Sequence, residues 1–218
     1  MTALALFDFD GTITRSESFG SFVRFAARPP RLLAAALALG PWVAAYKLGL
    51  VKADRVRAPL VRSALRGEPA ARVRERGEQF AREVLPRLVR PEGLERIEWH
   101  RSQRHTVVVV SASLDAYLEP WCRSLGVELV CSELEQRDGI VTGEYVGGDC
   151  YGAEKSRRIR ARYPLDGFAR IYAYGDSHED LEMLELADEA YLRGARIPTA
   201  RSSAAASPPP TAGSAGRT

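Results

Sequence analysis

Residues 3–12 read Ala-Leu-Ala-Leu-Phe-Asp-Phe-Asp-Gly-Thr, five apolar residues followed by carboxylates at positions 8 and 10 and a glycine. A short, continuous apolar run that ends in a turn signal predicts a strand buried on both faces, as in a parallel sheet. Two later runs have the same form. Thr106–Val110 leads into Ser111-Ala112-Ser113, and Ile171–Tyr174 leads into Gly175-Asp176-Ser177-His178-Glu179-Asp180. Helical spacing at Leu114–Ser124, Ala153–Tyr163 and Leu181–Ala187, with a further strand at Val127–Cys131, completes an alternation that predicts an α/β fold. Its core is a three-layer, Rossmann-like parallel sheet with crossover helices. Asp138-Gly139, between Ser132–Gln136 and Ile140–Tyr145, predicts a hairpin.

Residues 15–89 break this alternation, with helical spacing and no strand pattern, and read as an inserted all-helical cap. The catalytic core is then residues 1–14 and 90–195. Pro29-Pro30, Gly40-Pro41, Gly67 with Pro69, and Pro86 are expected to stop helices within the cap. Leu32–Leu50 carries a single charge, Lys47, yet Gly40-Pro41 divides it, which predicts two short buried or interfacial helices rather than a spanning one. Residues 196–218, rich in Ser, Ala, Pro and Gly, are expected to form a disordered tail.

The chain has 218 residues, 45% hydrophobic and 27% charged, with a net charge of +3. Nothing in that balance calls for a nucleic-acid partner. Three cysteines without a CxxC pair, and a first apolar run too short for a secretory signal, place the expectation in the cytoplasm. Cys150 and His178, each without a partner for chemistry nearby in sequence, read as inert.

Ligands of open parallel sheets bind beyond the carboxyl ends of the strands. There the three runs deliver Asp8, Asp10, Asp176, Asp180 and the Ser111 hydroxyl. Carboxylates gathered this closely need a cation, and hard oxygen donors suit Mg²⁺, whose remaining positions usually take water and phosphate oxygens. The pattern points to phosphoryl chemistry. One of Asp8 and Asp10, two apart in an extended segment, attacks while the other moves protons. Lys155, at a helix start, is placed to neutralise a transferring phosphoryl group beside Ser111, while Ser113 is an equally good cap for the following helix.

These motifs, DFDGT (8–12), Ser111 after four valines, Lys155 in AEKS and GDSHED (175–180), occur in the order that resembles the haloacid dehalogenase superfamily, and more narrowly its phosphoserine-phosphatase-like branch, subfamily IB. The resemblance covers residue 3 to about residue 194. It implies a Mg²⁺-dependent phosphomonoester hydrolase working through an aspartyl phosphate. Asp8 would be nucleophile and metal ligand, and Asp10 acid and base with its carbonyl on the metal. Asp176 would complete the metal site and Asp180 support the metal or Lys155. Thr12, Ser111, Ala112 and Lys155 would bind phosphate. Glu179 stands where phosphoserine phosphatases typically carry Asn, whereas Glu17 falls where they carry a glutamate that meets the substrate amine.

The substrate expected is a small phosphomonoester such as phosphoserine or histidinol phosphate. A second reading comes from the cap, where residues 24–66 hold nine Arg or Lys against one acid, Asp54. A basic, apolar cap suits either the steering of any anionic substrate or the presentation of a lipid phosphate at an anionic membrane surface, and Phe19-Gly20-Ser21-Phe22 with the apolar cap is similar to phosphatidylglycerophosphatases of the same branch. Arg57 and Arg62 are the cap side chains nearest to candidates for substrate contact. A dehalogenase would not need Asp10 or the metal. A phosphorylation-switch domain would need neither the second Asp nor the cap, and a non-catalytic membrane scaffold would leave the acidic constellation unexplained.

Overall fold

A computed structural model describes residues 2–51 and 54–202, with side chains undescribed at 46, 47 and 54. The apolar runs form a mostly parallel sheet in the order β3-β2-β1-β6-β7-β8. Its strands are β1 (Ala3–Phe7), β2 (Thr106–Leu114), β3 (Glu128–Ser132), β6 (Arg170–Gly175), β7 (Glu189–Leu192) and β8 (Ala195–Ile197), the last antiparallel to β7. Period-two alternation divides the core between the two faces of the sheet. Leu4, Leu6, Val108 and Val110 pack on one side, and Ala5, Phe7, Val107 and Val109 on the other. Helices α6 (Pro91–Ser102), α7 (Asp115–Leu125), α8 (Ala153–Arg162) and α9 (Leu181–Leu184) flank it, giving an α/β, Rossmann-like fold. β4 (Leu134–Arg137) and β5 (Ile140–Tyr145) form the Asp138-Gly139 hairpin, with both turn residues at positive φ.

The chain leaves the core at Thr14 and returns at Val89, where the two residues form an antiparallel bridge. Between them lie α1 (Phe19–Ala26), α2 (Pro29–Lys47), α3 (Asp54–Leu65), α4 (Ala70–Glu83) and α5 (Leu85–Leu88). α1 buries Phe19, Phe22, Val23 and Ala26, spaced to share one face. α4 seats this bundle on the core: Phe22, Phe80 and the core residue Tyr117 meet with ring centroids 4.8 to 5.4 Å apart. The linker between α3 and α4 is held by the hairpin through Gly67 N–H to Val141 O and Val141 N–H to Glu68 O, at 2.8 and 2.9 Å. The Glu68 side chain, 2% exposed, gathers Arg28, Arg31 and Arg72 within 3.4 Å and ties α2 and α4 to that linker.

Two expectations are corrected. Gly40-Pro41 does not divide the cap segment, because α2 runs through it as one helix. Pro41 deprives the carbonyl of Leu37 of its helical donor, and Leu37, 76% exposed, lies on a part of the helix open to solvent. Nor is this helix buried: Leu33, Leu37 and Trp42 are 63%, 76% and 52% exposed. Among the described residues no helix is long and apolar enough to cross a membrane. The tail assigned to 196–218 also begins too early. Arg196 and Ile197 pair with β7, and Thr199, 4% exposed, donates to Ala187 O at 2.7 Å. Residues 203–218 lie outside the described residues.

Candidate active site

Three strand ends build the site. β1 stops at Phe7, and Asp8 begins a tight turn over Phe9–Ile13 that breaks helical geometry at Asp10 and Gly11. Gly11 has φ +85°, and a Cβ there would run into the Asp176 carboxylate, so only glycine lets the β1 turn approach the β6 loop this closely. At the end of β2 the register with β3 slips: Ser111 faces Cys131, but Leu114 faces Ser132. Ala112 and Ser113 therefore bulge toward the site. This overturns the capping role for Ser113, since Leu114 is the residue before α7. Ser113 instead donates its hydroxyl to Asp10 Oδ2 at 2.5 Å.

These loops enclose a cavity of about 330 Å³ lined by Asp8, Asp10, Ser111, Ala112, Lys155, Asp176 and Asp180, with Glu17, Arg57 and Glu179 also on its wall. Lys155, from the first turn of α8, bonds Asp8 Oδ1 and Asp180 Oδ1, each at 2.6 Å. All three groups are at most 5% exposed. Asp180 Oδ2 accepts the backbone N–H groups of Asp176 and Ser177 at 3.1 and 3.2 Å, which fixes the β6 loop. Asp10 turns away from this cluster and accepts the Ser18 N–H at 2.7 Å as well as the Ser113 hydroxyl. Ser111 Oγ accepts the Ser113 N–H at 3.0 Å.

Thr12 is not brought into this cavity. It lines a neighbouring one of about 660 Å³, its hydroxyl buried without a hydrogen-bond partner. Arg57, a candidate cap contact in the sequence, does reach the wall of the cavity that holds Asp8. Its guanidinium lies 4.3 Å above the Phe19 ring, pairs with Asp149 at 3.3 Å and donates to the Ala112 carbonyl. Arg62 points elsewhere, pairing with Glu144 on the surface. Glu179 accepts the Tyr151 hydroxyl at 2.9 Å. His178 is exposed, and Cys150 is buried, its thiol pushed up to about 11 by burial.

The charge of the cluster tests the fit for a cation. Burial drives the Asp8 carboxyl upward, and Asp180 and Asp10 add to that against the pull of Lys155. Burial, then Asp180, raises Asp176 to about 6. Burial opposes the Lys155 ammonium, but its two carboxylates outweigh that and raise its pKa. Carboxylate oxygens of Asp8, Asp176 and Asp180 all lie within 4.8 Å of one another, with one ammonium to balance them. A hard divalent cation would relieve this excess negative charge, and an all-oxygen donor set suits Mg²⁺.

A family model described as haloacid dehalogenase-like hydrolase matches residues 5–185. Protein CicA of Caulobacter vibrioides is 34% identical over 196 residues, covering 87% of this chain and 85% of its own. A probable phosphatase of Mycobacterium tuberculosis is 34% identical over 140 residues, 63% of this chain and 48% of its own. Among solved structures, a phosphoserine phosphatase holding an analogue of its phospho-aspartyl intermediate shares the fold, with a TM-score of 0.61 at 19% identity, over 88% of this chain and 86% of that one.

Proposed function

This chain belongs to the haloacid dehalogenase-like hydrolases, and on that premise we propose that it is a Mg²⁺-dependent phosphatase that hydrolyses a phosphomonoester through an aspartyl phosphate on Asp8. The observation that carries the reading is the Asp8–Lys155–Asp180 chain, two 2.6 Å contacts buried at the meeting point of three strand ends.

Asp8, Asp176 and the Asp10 carbonyl would hold the Mg²⁺ ion, which when bound screens the phosphate and stabilises charge on its oxygens. An Asp8 carboxylate oxygen forms a bond to phosphorus as the ester P–O bond breaks. The Asp10 carboxyl gives its proton to the departing alkoxide. Asp10, now a carboxylate, takes a proton from water as that water attacks phosphorus, and the P–O bond to Asp8 breaks to release phosphate. Ser18 and Ser113 hold Asp10 in place for both transfers. Lys155 and the Ser111 hydroxyl balance the phosphoryl oxygens.

The alcohol side of the site is bounded by the cap residues Glu17 and Arg57. Polar metabolites such as phosphoserine and histidinol phosphate, and lipid phosphates, are the two classes that motif and cap suggest. The exposed apolar residues on α2 favour considering the second. Turnover of a phosphomonoester panel with Mg²⁺ and with EDTA, followed by acid quench to detect phosphate on Asp8, tests the mechanism. Metal-independent turnover, or full activity in Asp8→Asn, would overturn it.

A further inference from the structure

Beside the acidic pocket the cap helices frame a second, partly open cavity of about 450 Å³, and the two share Glu17 and Arg57 in their walls. We propose that this second cavity receives the alcohol portion of the substrate and that this portion is an apolar chain. The proposal rests on the phosphatase reading and names the substrate class of the same site.

Three observations carry it. The walls are mainly apolar: Phe19 and Val23 from α1, Ala35 from α2, and Val56 and Leu60 from α3, with Glu17, Ser21, Arg24 and Arg57 the polar residues among them. The space exists because α2 presents Ala35, Ala36 and Gly40 to it, where larger side chains would fill the gap between helices. Its size falls in the range of pockets that hold small organic ligands. Of the two polar residues at the junction, Arg57 is already engaged on the core side. Arg57 pairs with Asp149 and donates to the Ala112 carbonyl while its guanidinium lies over Phe19. A zwitterionic alcohol pushed past that junction would lose hydration against apolar walls. A hydrocarbon chain would gain from the same walls, about three- to fourfold in affinity for each methylene taken out of water.

The test is a series of monomeric n-alkyl phosphates from ethyl to octyl, assayed with Mg²⁺ beside p-nitrophenyl phosphate. The expected result is kcat/KM rising about threefold per methylene until the cavity is filled. A flat series alongside turnover of p-nitrophenyl phosphate overturns the inference and leaves the phosphatase reading standing. No turnover of any phosphomonoester overturns both. Gly20→Leu adds bulk on the cavity wall, where a Cβ meets only the Arg24 guanidinium at 3.6 Å. It should lower the octyl-to-ethyl ratio at least tenfold, and an unchanged ratio in folded Gly20→Leu counts against the cavity; the wild-type series carries the test if that variant does not fold. A phosphate-headed lipid in phosphatidylcholine vesicles separates the two sources of such a chain. Turnover there assigns a bilayer lipid, and turnover of the monomers alone assigns a free apolar phosphate. Either supports an apolar chain.

Discussion

The Ser113 hydroxyl reaches Asp10 Oδ2 at 2.5 Å across 103 positions of sequence, so the bulge at the end of β2 aims the carboxyl that the β1 turn supplies. Ser113 is fully buried, and its contact with the Ser111 hydroxyl is made by its backbone N–H, which an alanine at this position keeps. Ser113→Ala should therefore reduce kcat about tenfold through a misdirected proton transfer, with little change in KM. Slower formation and slower breakdown of the phospho-enzyme, resolved by rapid quench, would identify the positioning role. A rise in KM with unchanged kcat would refute it.

Lys155 balances two buried carboxylates, so removing it alone leaves charge without a partner. Lys155→Met should cost about 3–5 kcal/mol in urea unfolding without added metal. Adding Asp8→Asn and Asp180→Asn to it should return a good part of that loss while leaving the enzyme inactive. A triple variant no more stable than the single one would show that the lysine acts through packing instead.

Much of this arrangement is legible before any coordinates, for physical reasons specific to each part. β1, β2 and β6 are buried on both faces, so their sequences are unbroken apolar runs and the residues that follow them are the site. The hairpin is legible because Asp138-Gly139 supplies the two positive φ values its turn needs. β7 and β8 are not, since strands of four and three residues with mixed exposure carry no period. The α2 helix hides behind Gly40-Pro41, because a proline marks a helix stop in sequence although a helix can run through one at a local cost. Arg57 and Ser113 are named by the sequence, but their roles are not legible there: Asp149 and Asp10, which give them meaning, arrive from distant segments, and no local spacing encodes such a meeting.

Gly77 lies where α4 of the cap packs tightly against the start of α7. A Cβ there would collide with the backbone carbonyl of Ala116 at the start of α7, and backbone cannot step aside as a flexible side chain can. Gly77→Ala should push α4 off α7 and destabilise the protein by about 1–3 kcal/mol. Because the same seat holds the cap over the acidic pocket, kcat/KM should fall as well. Thermal unfolding and steady-state kinetics on the one variant check both, and an unchanged melting temperature would show that the helices tolerate the added methyl.

His100 gives the fold a dependence on pH that does not involve the acidic pocket. Its ring is fully buried, hydrogen-bonded to Tyr174 Oη at 2.9 Å and to His105 Nδ1 at 2.8 Å, and edge-on to Phe7. Burial, then the neighbouring charges of His105 and Arg96, lowers its pKa to about 3 from the ordinary 6.5. The unfolded chain thus takes up a proton between pH 6.5 and 3 while the native one does not. Stability is fully present above about pH 6.5 and is lost as pH falls toward 3. At pH 5 the loss is on the order of 2 kcal/mol, from 1.36 kcal/mol per pH unit. His100→Phe strands the Tyr174 hydroxyl and should be less stable at pH 7.5, yet its stability should change less between pH 7.5 and 5. Urea midpoints of both proteins at the two pH values measure this difference in slope, and parallel slopes would show that His100 does not titrate on unfolding.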